Sequence, residues 1–195
     1  MKKIVMGISL LATSLIAQGR LTAIGGANYS TIEYNNTAYD EAIMVDSRLG
    51  FFLGVESKPN PIVLGAAYAQ YGADFSYTEN TETIIGYDIY NYLVGYALYP
   101  FFHLSKFSAF GGIQAGLSLG GNTKGNVSDS RFSGHINADK FAFDYGAIAG
   151  VDMAISPTFG IRGFYYYGLA DVMDLTTSDM NFKNRGIGVL LRVTP

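Results

Sequence analysis

Between Phe141 and Met153 every odd position is large or apolar, while Asp144, Gly146, Gly150 and Asp152 fall among the even ones. A period of two is that of a β-strand, whose side chains alternate between faces. The pattern recurs about every 22 residues and predicts eight strands, over roughly 20–32, 47–58, 62–73, 86–99, 107–119, 140–154, 158–169 and 184–194. In the second strand Leu49, Phe51, Leu53 and Val55 share one face, and Arg48, Gly50, Phe52, Gly54, Glu56 and Lys58 share the other. The seventh sets Phe159, Ile161, Tyr165 and Tyr167 against Gly160, Arg162, Phe164 and Tyr166. The eighth sets Ile187, Val189, Leu191 and Val193 against Gly186, Gly188 and Arg192. The face that carries charge also carries most of the glycine, as a narrow barrel interior requires. The faces of the third strand are not assigned by its sequence.

The connections alternate in length. Short links follow strands two, four and six: Pro59-Asn60-Pro61, Pro100 to Lys106 and Ile155-Ser156-Pro157. Segments of roughly 12 to 20 residues rich in Asn, Asp, Thr, Ser and Glu follow strands one, three, five and seven. Tight turns on one rim and long loops on the other describe an outer-membrane barrel, with lipid outside and a polar lumen inside. The expected fold is therefore all-β, an eight-stranded antiparallel up-and-down transmembrane β-barrel.

The first residues agree with that compartment. Lys2 and Lys3 precede the apolar run Ile4 to Ile16 and the small-x-small triplet Ala17-Gln18-Gly19, the form of a secretory signal peptide. Residues 1–19 are expected to be cleaved, leaving 20–195 as a single barrel domain. No apolar run later in the chain reaches the length of a membrane-spanning helix. Cysteine is absent, so no disulfide staples this exported chain; a closed barrel satisfies its backbone without one.

Charge sharpens the orientation. Loss of Lys2 and Lys3 leaves 16 acidic residues against 11 basic ones, a formal charge of about −5, with no basic stripe suited to nucleic acid. Thirteen of the 16 acids fall in the long segments, and the other three, Glu56, Asp144 and Asp152, lie on glycine-bearing faces. No acidic side chain is expected to meet lipid, where an ionised group costs several kcal/mol, on the order of 2 to 4 for a base.

The candidate site is the lumen itself. Arg48, Glu56, Lys58, Asp144, Asp152, Arg162 and Arg192 bring four basic and three acidic groups to the interior, where they are expected to pair as a structural plug; an ion or proton path is the sharper alternative. Asp171, Asp174 and Asp179 are candidate loop contact residues, without EF-hand spacing. Tyr29, Tyr90, Tyr92, Tyr165 and Tyr167 suit an interfacial aromatic girdle. His103 and His135 are the only histidines and fall on opposite rims, so no catalytic residue, metal or cofactor is expected.

The chain resembles the PorT-like family of outer-membrane β-barrel proteins, within the wider group of small OmpA- and OmpX-type barrels. The resemblance rests on Gly25-Gly26-Ala27-Asn28-Tyr29-Ser30-Thr31, Leu49-Gly50-Phe51-Phe52-Leu53-Gly54, Gly112-Ile113-Gln114-Ala115-Gly116, Tyr166-Tyr167-Gly168-Leu169 and Lys183-Asn184-Arg185. It departs from the family in ending Arg192-Val193-Thr194-Pro195 rather than in an aromatic residue, and in a long Tyr99 to Phe107 link. The resemblance implies a bacterial outer-membrane location. The surroundings would be outer-membrane lipid, with periplasmic chaperones and the barrel-assembly machinery as partners during export and an unidentified extracellular partner at the loops. The expected role is structural or interactive, through long acidic loops above a plugged lumen. The alternatives are a narrow low-conductance solute channel and an exported soluble barrel that turns its apolar face inward on an apolar ligand.

Overall fold

The structure, a computed structural model, describes residues 21–35, 43–58, 61–79, 82–127, 130–138, 143–171 and 181–195. These form nine antiparallel strands: β1 (Leu21–Asn35), β2 (Ile43–Ser57), β3 (Val63–Glu79), β4 (Glu82–Leu104), β5 (Phe107–Val127), β6 (Ser130–Ile136), β7 (Asp144–Ala154), β8 (Phe159–Gly168) and β9 (Asn181–Val193). Eight of them close a ring in chain order, with β9 returning to β1 and β5 passing to β7, while β6 hangs from the upper part of β5. The chain thus has the expected barrel and one strand more. The expected leader, residues 1–19, lies outside the described residues.

Alternation decides which way each strand faces. Leu49 and Leu53 are 69% and 63% exposed, whereas Phe52 and Glu56 between and beyond them are 2% and 1% exposed. Ile187, Val189 and Leu191 of β9 and Val151 of β7 are likewise on the outside. Large aliphatic groups outward and carboxylates inward suit a lipid solvent, and they rule out the soluble alternative, whose apolar face must point in. β3, unassigned by sequence, turns Gly65, Ala67, Ala69, Tyr71 and Ala73 inward.

Two of the long loops are strand instead. β3 and β4 continue until Glu79 lies opposite Glu82, with the Thr78 and Thr83 hydroxyls 3.4 Å apart across the pair. The segment is polar, yet it keeps period two and β-branched residues, so strand geometry survives where lipid contact ends. β5 extends in the same way and folds back as β6. At Leu119 it carries one residue more than β4, and Gly120, at φ 95°, takes a backbone conformation that favours glycine. On the opposite rim the predicted link from Pro100 is also strand, through Leu104. Pro100 sits at a register shift, the kind of irregularity at which a residue without an N–H is tolerated.

These extensions change the placement of charge and of the girdle. Glu33, Asp46, Asp74, Glu79, Glu82 and Asp88 lie in strands, not loops. Glu33 alternates with the inward Ile32 and so occupies the outer wall, contrary to the expectation that no acid does; Arg185 pairs with it. Tyr29, Tyr165 and Tyr167 are exposed on the outer wall as expected, but Tyr90 and Tyr92 are 1% and 0% exposed and face the lumen. They share their parity in β4 with Val94, Tyr96 and Leu98, all of which are buried. At the short-turn rim Tyr99, Phe101, Phe102, Phe107 and Phe159 form the lower aromatic ring.

Candidate functional site: the lumen

Four of the seven predicted lumen residues meet in one network near the short-turn rim. Register places Asp152 of β7 directly opposite Arg162 of β8. Arg162 grips that carboxylate with two parallel bonds, Nε to Oδ1 at 2.8 Å and Nη2 to Oδ2 at 3.0 Å, and donates Nη1 to Glu56. Glu56 belongs to β2 on the far wall, so the contact crosses the interior. Arg192 donates Nε to Glu56 Oε2 at 3.2 Å and stands 3.6 Å from Asp152, and the Tyr96 hydroxyl donates to Glu56 Oε1 at 2.8 Å. Two guanidinium groups thus face two carboxylates, and every charge has an opposite partner. Planar, always-charged arginine suits this bidentate geometry better than lysine.

Next to this network lies a layer of rings. Arg162 sits 4.9 Å from the centroid of Phe110, and Phe52 packs against Phe164 at 5.7 Å and Tyr96 at 6.2 Å. The glycines of the inner face make room for them. A Cβ on Gly150 would come 2.7 Å from the Phe110 ring, and one on Gly65 or Gly188 would enter the ring of Tyr96 or Phe164. Ile24, Leu98, Ile148 and Leu190 belong to the same buried cluster.

Asp144 stands apart from the ionic network. Its carboxylate accepts from the Tyr166 hydroxyl and from Asn184 Nδ2, each at 2.9 Å, and has neutral donors where Glu56 has arginines. Tyr71 stacks beside Tyr166 at 5.9 Å and meets Tyr92 edge-on at 5.7 Å, while Gln114 Nε2 donates to the Tyr71 hydroxyl at 2.7 Å. Sequence reasoning missed Tyr71, Tyr96, Gln114, Tyr166 and Asn184 as site residues. For Gln114 the signal was present, a lone amide at inward parity between Gly112 and Gly116.

The remaining predicted residues lie elsewhere. Lys58 follows the last residue of β2 and is exposed, because the strand ends at Ser57 ahead of the proline link. Arg48 leaves the lumen where β2 loses register with β3 between Ser47 and Phe52. Ser30 of β1 fills that break, accepting from Gly72 N at 2.9 Å and donating to Gly72 O at 3.2 Å. Arg48 instead bonds Asp74 at 2.5 Å and lies 3.6 Å over the Tyr87 ring. Asp171 is turned into its own chain, with Oδ1 accepting from Phe182 N at 2.9 Å, so it is not a free loop contact. Asp174 and Asp179 lie outside the described residues. His103 lies near the short-turn end of β4, opposite Ser108, and His135 lies in β6, opposite Asn122 on the upper part of β5, so the two stand at different heights of the wall.

A family model described as outer membrane protein beta-barrel domain matches residues 5–192. The chain belongs to this family. Its fold is similar to that of Neisserial surface protein A, at a TM-score of 0.53 and 15% identity over 90% of this chain and 98% of that one. It is also similar to Ail, the attachment invasion locus protein of Yersinia pestis, at 0.49 and 18% over 89% and 98%. No curated protein sequence matches the chain. This outer-membrane barrel therefore lies in the bacterial outer membrane, with its wall in lipid.

Proposed function

We propose that this outer-membrane barrel works through its wall and its long-hairpin rim, and that its lumen is a structural plug. The observation that carries the reading is the contact between Glu56 of β2 and Arg162 of β8, which ties opposite walls together beside the ring layer of Phe52, Phe110 and Phe164. An eight-stranded interior is only just wide enough for its own side chains, and here large rings fill the spaces left by glycine. Solute passage would require these groups to move together. The same filling speaks against the low-conductance channel, and the role proposed here is not an enzymatic one.

Within the family, the finer resemblance is to PorT-like members, on the motifs around Asn28, Gln114 and Asn184. Those residues are buried at inward parity, which supports a shared interior. The reading includes removal of residues 1–19, delivery by periplasmic chaperones to the assembly machinery, and an extracellular partner met by the hairpins. Liposome swelling tests the plug. Vesicles holding the refolded protein should swell in small sugars no faster than protein-free vesicles, and swelling graded by sugar size would favour the channel.

A further inference from the structure

We propose that the outer wall above the apolar band carries a binding site for the phosphate groups of outer-leaflet lipid, built from Arg48, Tyr87, Lys124 and Arg131. Register sets Asp74 opposite Tyr87, Tyr87 opposite Lys124, Lys124 opposite Ser133 and Asn126 opposite Arg131, so these side chains share one face of the β3 to β6 sheet. That face alternates with the lumenal Ala73 and Tyr90 and is the outer one. A groove of about 750 Å³ runs along it.

Two features fit the groove to an anion. The Arg48 guanidinium is held over the Tyr87 ring, 3.6 Å from its centroid, and bonded to Asp74, and its Nε is buried without a hydrogen-bond partner. Lys124 and Arg131 are exposed and have no acidic partner among the described residues. Three cations therefore face one carboxylate in the groove; Asp46, opposite Asp74, stands outside its lining. The outer-wall Arg185 offers no such site, since it is held by Glu33, the Gly168 carbonyl and the Tyr167 ring.

Height selects the source of the phosphate. Tyr87 lies twelve residues along β4 from Tyr99 of the lower aromatic ring. At ~3.3 Å per residue and a tilt of ~40° this is a rise of roughly 30 Å, against an apolar band about 25 Å tall. The cations thus stand in the headgroup layer just above the hydrocarbon, where lipid phosphates lie and a soluble polyanion does not.

The test measures retention of bisphosphorylated lipid A by the mature protein in an uncharged detergent, read by native mass spectrometry. Dephosphorylated lipid A and inorganic phosphate serve as comparison ligands. The double variant Lys124→Gln/Arg131→Gln should bind the bisphosphorylated form about ten-fold more weakly, and Lys124→Arg/Arg131→Lys should bind like the parent, with heat-modifiable gel migration reporting that both are folded. Undiminished retention by the Gln variant, or equal binding of dephosphorylated lipid A, would overturn phosphate recognition. Inorganic phosphate binding as tightly as the lipid would overturn the assignment to lipid.

Discussion

Replacing Arg162 by Met removes three hydrogen bonds to two carboxylates without changing side-chain volume greatly. Glu56, 1% exposed, would keep Arg192 at 3.2 Å and the Tyr96 hydroxyl at 2.8 Å. Asp152 would keep only Arg192 at 3.6 Å. Removing one member of a buried pair costs about 3 to 5 kcal/mol because the other charge is stranded. Arg192 answers part of that charge here, so the expected loss is at the lower end, about 3 kcal/mol. Adding Glu56→Gln balances the remaining Asp152 against Arg192 and should recover at least about 1 kcal/mol of it. The assay is urea titration of the protein folded in lipid vesicles, with far-UV circular dichroism and heat-modifiable migration as probes. A single-variant loss below about 0.5 kcal/mol, or a double variant that merely adds the two single losses, would refute the idea of one coupled cross-lumen network.

Other substitutions test the wall. Val151→Arg, on the exposed face of β7 opposite Ala109 and toward the short-turn rim, should lower folded stability by roughly 1 to 2 kcal/mol, less than the midplane cost; an unchanged midpoint in the same urea titration would mean the parity is inside out. Gly188→Ala pushes a Cβ into the Phe164 ring and should cost about 1 to 3 kcal/mol as overpacking, and it is contradicted by an unchanged midpoint. Intact-mass measurement of the exported protein should give Arg20 as the first residue; retention of Met1 to Gly19 would remove the signal-peptide reading.

The strands, their order and the outward faces of β2, β8 and β9 were legible because lipid on one side and a narrow lumen on the other impose strict alternation. The ends of β3, β4 and β5 were not legible. Above the membrane the outer face no longer needs to be apolar, so Asp74 to Glu79 and Gly121 to Val127 read as loop although their period persists. Within the candidate site, Glu56, Asp152, Arg162 and Arg192 were found by parity alone. Arg48 has the same parity, yet the break in β2–β3 pairing after Ser47 carries it out of the lumen, and a one-residue irregularity leaves no mark on composition. Tyr90 and Tyr92 were misplaced because tyrosine suits both a girdle and a lumen. Only the neighbouring Val94 and Leu98 at the same parity distinguish the two.

The filled lumen is the centre of the account, and single-channel recording across a planar bilayer tests it most directly. Refolded wild-type protein should insert without discrete conductance steps at any voltage the bilayer tolerates. Reproducible single-channel steps from the wild-type protein would contradict a lumen closed by Glu56, Arg162 and the Phe52, Phe110 and Phe164 rings.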